Sequence, residues 1–199
     1  MRKAEIVRKT EETDVKVKID IDAKSVEENK VDTGVGFLDH MLKLLMKNAG
    51  IGCDISARGD TYVDFHHTTE DVGITLGQAI SKALGERKGI TRYSSVTIPM
   101  DESLVMTALD ISGRGALYTD VTFPTEKIGD FDTQLVEEFF DAFAKNAGFT
   151  LHIRQLSGRN SHHLAECCFK SVGRAVREAV SPDKRFPDAI PSTKGTLTK

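Results

Sequence analysis

The feature that most constrains this chain is an internal repeat. The stretch "HMLKLLMKNAG" at 40–50 aligns without gaps with "EFFDAFAKNAG" at 138–148, and both end in Lys-Asn-Ala-Gly. Each is followed by a short strand-like run and then by the pattern H-H-x-x-E, as "HHTTE" at 66–70 and "HHLAE" at 162–166. The separation from Asn48 to His66 is 18 residues and that from Asn146 to His162 is 16. Two landmarks at nearly matched spacing mark a duplication, with halves of about 1–90 and 91–199.

Each half carries strand pairs followed by helices. "AEIVRKT" and "VKVKIDI" alternate as strands around a turn at Glu11–Asp14. In "FLDHMLKLLMKNAG" the residues Leu38, Met41, Leu42, Leu45 and Ala49 make a helical face, and Gly50 supplies a stop. "IGCDISARG" is a strand, and "TTEDVGITLGQAISKALGER" is a second amphipathic helix. The second half reads as strands in "SVTIPM", "LVMTALDIS" and "ALYTDVTF", a helix in "DTQLVEEFFDAFAKNAG", a strand in "FTLHIRQL" and a last helix with Leu164, Cys168, Val172, Val176 and Ala179 on one face. The fold class expected is therefore α+β, two similar strand-pair and helix halves with sheets on one side and helices on the other. The first half spans 1–90, the second 91–180, and 181–199 is a tail, flexible unless held. The three units are expected to work as one compact body.

The charge-bearing residues point to metal chemistry. Residues three and four apart share a helix face, so Glu70 can cooperate with His66 or His67, and Glu166 with His162 or His163. Adjacent histidines point about 100° apart, so the members of each pair serve different metals. The repeat adds His40 and Glu138 at equivalent helix positions. The donors are then His40, His66, His67, Glu70, Glu138, His162, His163 and Glu166, enough for two four-ligand sites with open positions. Imidazole and carboxylate without sulfur suit Mn, Fe, Ni or Zn. The cysteines, Cys53, Cys167 and Cys168, form no CxxC pair and read as reduced thiols. His152 alternates into a strand and reads as a packed or hydrogen-bonded histidine.

Basic and hydroxyl residues suggest an anionic substrate beside the metals. Arg114 follows a strand in "DISGRG", Arg92 sits in "ERKGITRY", and Lys170 lies one turn after Glu166. "PSTKG" adds Ser192, Thr193 and Lys194, and this set suits a phosphate monoester. The acidic turn 11–14 offers a base or is simply a solvated turn. A net charge of −3 leaves no global footprint for nucleic acid. No apolar run is long enough to span a bilayer, and "MRKAEIVRKTEETD" lacks a signal-peptide core, so a cytoplasmic protein is expected. "SGRGALY" lacks the spacing of a nucleotide-binding loop.

The segments "GFLDHML", "DFHHTTED", "ALGERKGITRY", "DISGR", "FDTQLVEEFF", "TLHIRQLSGRNSHHLAE" and "PSTKG" together resemble imidazoleglycerol-phosphate dehydratase of histidine biosynthesis, in its monofunctional form. The resemblance runs over nearly the whole chain. It implies a ribosomal S5 domain 2-like fold and a hydro-lyase that converts imidazole glycerol phosphate to imidazole acetol phosphate and water. It also implies two manganese ions per active site, a homo-oligomer of 24 subunits built from trimers, and active sites shared between subunits. By the same analogy one metal takes His40, His67, His162 and Glu166, and the other takes His66, Glu70, Glu138 and His163. Some members carry histidine where this chain has Glu138; a carboxylate can replace imidazole for manganese. The family's substrate contacts map to Glu12, Arg92, Arg114, Lys170, Ser192 and Lys194, and the catalytic residues to Glu12, His67 and Glu166. A metal on each ring nitrogen would stabilise an imidazolate able to expel the neighbouring hydroxyl, with Glu12 shuttling the carbon-bound proton.

Two further readings use the same residues. A binuclear metallohydrolase acting on a phosphate ester would release inorganic phosphate. A non-catalytic metal-storage shell would bind metal without turnover and give Arg114 and Lys194 no task.

Overall fold

Strand alternation places every second residue of Thr13–Asp20 on one face, so Val15, Val17 and Ile19 are buried while Lys16 and Lys18 face outward to Glu5. In the computed structural model, which describes residues 1–197, this strand (β2) pairs antiparallel with β1 (Lys3–Lys9). The first half continues through β3 (Lys30–Asp32), α1 (Gly36–Ala49), β4 (Gly52–Gly59) and α2 (His66–Leu84). The second half comprises β5 (Tyr93–Met100), β6 (Ser103–Asp110), β7 (Ala116–Thr119), a small hairpin of β8 (Lys127–Ile128) and β9 (Phe131–Asp132), α3 (Gln134–Ala147), β10 (Thr150–Ser157) and α4 (Ser161–Ala179).

The two four-stranded sheets repeat each other. The first has order β1-β2-β4-β3 and the second β5-β6-β10-β7. In each, the last-named strand runs parallel to its neighbour and the other pairings are antiparallel. Duplication is thus visible in connectivity as well as in motif. The β8–β9 hairpin has no counterpart in the first half. β7 ends at Thr119, although the alternating run continues to Phe123. Beyond it, Asp120 takes the Arg154 guanidinium and the Gln155 N–H, so side-chain bonds replace the ladder. The β3 segment, only three residues long, carries too little periodicity to be read ahead of its partner β4.

Every helix touches its own sheet and a helix of the other half. α1 packs on β3 and α4, α2 on β1, β2 and α3, α3 on β7 and α2, and α4 on β5, β6 and α1. One continuous apolar core joins both halves. Close helix approach depends on glycine: a β-carbon at Gly73 would stand 2.8 Å from the Phe139 carbonyl oxygen, and one at Gly173 would stand 2.4 Å from that of Leu45. Backbone oxygens cannot rotate away. Gly173→Ala is therefore expected to push α4 off α1 and cost about 1–3 kcal/mol of stability. A lowered urea midpoint at unchanged slope would report it, and an unchanged midpoint would contradict the packing argument.

Up to Leu197 the tail is held rather than free. Buried Arg87 donates to the carbonyls of Leu197 at 2.8 Å and Ala147 at 3.0 Å, and its positive φ of 57° turns the chain after α2. Arg92 Nη1 donates to the Pro191 carbonyl at 2.6 Å, and the Gly89 N–H donates to Ala189 at 2.8 Å. Leu197 is itself buried.

Candidate active site

The α1–α4 contact brings three of the expected donors together. Asn160 caps α4, accepting from the N–H groups of His162 at 2.9 Å and His163 at 3.3 Å, which fixes where the helix starts. One turn on, buried Glu166 accepts from His40 Nε2 at 3.0 Å, His162 Nε2 at 3.2 Å and Lys170 Nζ at 2.5 Å. Burial alone would raise the Glu166 pKa. The Lys170 ammonium and the two histidine contacts outweigh it and hold the group at about 2. Donor atoms of His40, His162 and Glu166 all lie within 4.8 Å of one another. Beside them lies a cavity of about 490 Å³ lined in part by Phe37, Phe65, Phe131, His40 and His162.

The equivalent place in the repeat lies between α2 and α3. His66 Nε2 stands 4.0 Å from Glu70 Oε2, one turn along α2. Glu138 comes from α3, in register with His40 of α1. Lys145 has its pKa raised chiefly by Asp141, with Glu138 and Glu70 both adding to the shift, so these two carboxylates share one neighbourhood.

The second histidine of each pair turns elsewhere. The rings of His66 and His67 are 6.0 Å apart and perpendicular, and those of His162 and His163 are 6.4 Å apart at 83°. His67 Nδ1 lies 3.0 Å from Asp60 Oδ2 and 3.8 Å from Glu12 Oε2, making a second convergent group of Glu12, Asp60 and His67. His163 Nδ1 lies 2.7 Å from Glu102 Oε2 and its Nε2 lies 3.7 Å from Asp101. The hydrogen bond to Asp60 raises the His67 pKa, and that to Glu102 raises the His163 pKa. In turn the His163 contact holds Glu102 at about 2.

Asp60 and Glu102 are absent from the residues singled out above. A signal for Glu102 was present, since "ETDVKVKIDI" at 12–21 aligns without gaps with "ESLVMTALDI" ninety residues later. The match makes Glu102 the repeat counterpart of Glu12. Asp60 has no such signal, because the residue after Gly158, the glycine that follows β10, is Arg159.

The expected substrate residues fall in three places within one chain. Arg92, Arg114, Ser192, Thr193 and Lys194 line a single cavity of about 550 Å³. Arg92 is fixed there by Asp110 at 2.8 Å and by the tail carbonyl already described. Lys170 stands beside Glu166, and Glu12 beside His67. His152 stacks on Tyr118 with centroids 4.6 Å apart. Cys167 and Cys168 are buried, burial pushes their thiols up, and no sulfur enters either convergent group among the described residues. Among the same residues no helix is long and apolar enough to cross a membrane.

Comparison with known proteins adds an independent line. A family model described as imidazoleglycerol-phosphate dehydratase matches residues 33–176. Imidazoleglycerol-phosphate dehydratase of Dinoroseobacter shibae is 56% identical over 197 residues, covering 99% of this chain and 100% of that protein. The Desulforamulus reducens protein of the same name is 55% identical over 196 residues, covering 98% of each. Among solved structures, the Staphylococcus aureus enzyme aligns with TM-score 0.78 at 37% identity, covering 90% of this chain and 99% of that one. The Pyrococcus furiosus enzyme, solved in complex with (S)-C348, aligns with TM-score 0.83 at 36% identity, covering 96% of this chain and 100% of that one.

Proposed function

Because the chain belongs to the imidazoleglycerol-phosphate dehydratase family and is a dehydratase of histidine biosynthesis, we propose that its two repeat-related clusters hold two manganese ions in active sites completed by neighbouring copies. The observation that carries this reading is that each adjacent histidine pair is split. His162 joins His40 and Glu166, while His163 turns out of the cluster; likewise His66 lies with Glu70, while His67 turns away. Each chain thus has one three-donor cluster short of a ligand, a His66–Glu70 pair in the equivalent place of the other half, and two histidines that face other carboxylates. One site would take His40, His162, Glu166 and His67 of a second copy. The other would take His66, Glu70, Glu138 and His163 of a second copy. Imidazole nitrogens and an ionised buried carboxylate, with no sulfur, fit a borderline-to-hard divalent ion. We take the assembly to be the 24-subunit shell of trimers that the family resemblance implies, in the cytoplasm; mass photometry of the purified protein tests the subunit number.

When bound, the metal supplies Lewis-acid withdrawal of electron density from the substrate's imidazole ring. The protein's own groups do the rest. Arg92, Arg114, Ser192 and Lys194 hold the phosphate and so fix the orientation of the glycerol carbons. Glu12, beside His67 and 56% exposed, takes the proton from the carbon next to the one that loses hydroxide. The hydroxide leaves as water with the proton that Glu12 removed, and the resulting enol becomes the ketone by losing its O–H proton and gaining one at the ring-bound carbon. Lys170, hydrogen-bonded to Glu166, helps to keep that carboxylate ionised.

Removal of metal tests the proposal. Chelator-stripped protein is expected to lose at least about a thousandfold in rate, several kcal/mol of lost stabilisation, and to recover on adding Mn²⁺. Formation of imidazole acetol phosphate, followed in the ultraviolet, is the measurement, with inorganic phosphate as a control for the metallohydrolase reading. Full turnover by stripped protein would sink the metal assignment.

A further inference from the structure

The duplicated carboxylates Glu12 and Glu102 occupy equivalent turns, yet their surroundings differ. The Glu102 carboxylate is fixed on both oxygens. Oε1 accepts from the N–H groups of Arg159 at 3.2 Å and Asn160 at 3.0 Å and from Ser103 Oγ at 3.2 Å, while Oε2 faces His163 Nδ1 at 2.7 Å. Its carbonyl is tied by Ser157 Oγ at 3.1 Å. Among the described residues the Glu12 carboxylate has only the 3.8 Å approach to His67, too long for a hydrogen bond. In that half Asp60 takes the histidine instead, at 3.0 Å, while its own N–H donates to the Glu12 carbonyl at 3.1 Å.

We propose that Glu102 and Asp60 are positioning residues, one in each half, that hold the Nδ1 edge of His163 and His67 so that Nε2 is the nitrogen each offers to a neighbouring copy. The same arrangement explains why only one of the two equivalent glutamates is available to move a proton. A carboxylate on Nδ1 selects the tautomer with its proton there and a lone pair on Nε2, and it stops the ring from turning. Asp101 at 3.7 Å from His163 Nε2 lies beyond hydrogen-bond reach and is 70% exposed, so it does not compete for that nitrogen. In the first half, Asp60 after Gly59 supplies the carboxylate. In the second, Arg159 after Gly158 supplies only a backbone donor, so Glu102 has to serve.

The inference rests on the reading of His67 and His163 as ligands given above, and the test separates the two. The full-length assembled enzyme is dialysed at controlled free Mn²⁺, bound metal per chain is counted, and the visible spectrum of the Co²⁺-loaded form is recorded. Glu102→Ala is expected to weaken one of the two sites about 10- to 100-fold and leave the other unchanged, with a changed Co²⁺ spectrum. Asp60→Ala weakens the opposite site, and Glu12→Ala weakens neither. Glu102→Gln keeps an acceptor for Nδ1–H and restores most of the affinity. If His163→Ala removes a metal while Glu102→Ala keeps both at full affinity, the positioning role is overturned. If His163→Ala itself keeps both metals, the ligand reading has failed instead. Metal-stripped Glu102→Ala that melts far lower and binds both metals equally weakly would reduce Glu102 to a brace for α4, which also overturns it.

Discussion

Glu166→Gln is expected to lower kcat at least about a thousandfold and to leave one metal per chain. The carboxylate is buried at the meeting of α1 and α4, with His40, His162 and Lys170 all directed at it. Glutamine fills the same space but is neutral, and its amide must present N–H groups to at least one of those partners. Lys170, whose side chain is 21% exposed, then loses its counter-ion. The change has a separate signature in metal-stripped protein. The Glu166 carboxyl, ordinarily near 4.5, sits at about 2 when folded, so its contribution to stability is complete above about pH 4.5 and is lost as pH falls toward 2. The variant should lack that part of the acid limb in a pH series of urea midpoints. Retention of two metals and of wild-type turnover would show that the α1–α4 cluster is not the metal site.

Glu12→Gln is expected to lower kcat by about 10²- to 10⁴-fold with metal content unchanged and little effect on KM. Its side chain is exposed, sits next to His67 and is not engaged in a hydrogen bond among the described residues, which leaves it free to accept and return a proton. Glutamine keeps the shape and removes the basicity. Steady-state kinetics with parallel metal analysis checks this. A loss under tenfold would move proton transfer to another group, and loss of metal together with rate would make Glu12 part of the metal site.

The reading of helices and of most strands followed from local periodicity, which depends only on neighbours along the chain. The His-His-x-x-Glu stretches, the helix stop at Gly50 and the duplication itself are of this kind. The short β3 strand and the β8–β9 hairpin are not, because their few residues gain a defined conformation only from the segments they pair with. Likewise the tail, irregular in sequence, is ordered through Arg87 and Arg92, whose donors reach carbonyls roughly a hundred residues away.

By itself the sequence determined the chemical inventory: two copies of an imidazole-and-carboxylate device, one helix turn between donors, and a basic set suited to phosphate. One-turn spacing is a local property of an α-helix and survives any packing. Tertiary structure decided how that inventory is divided. Crossed pairing of α1 with α4 and α2 with α3, through backbone contacts at Gly73 and Gly173, sets His40 against Glu166 and places Glu138 and Glu70 both within the electrostatic reach of Lys145. It also sets His67 against Asp60 and His163 against Glu102. Which face of a helix meets which partner depends on surfaces far apart in the chain, and no spacing within one segment encodes it.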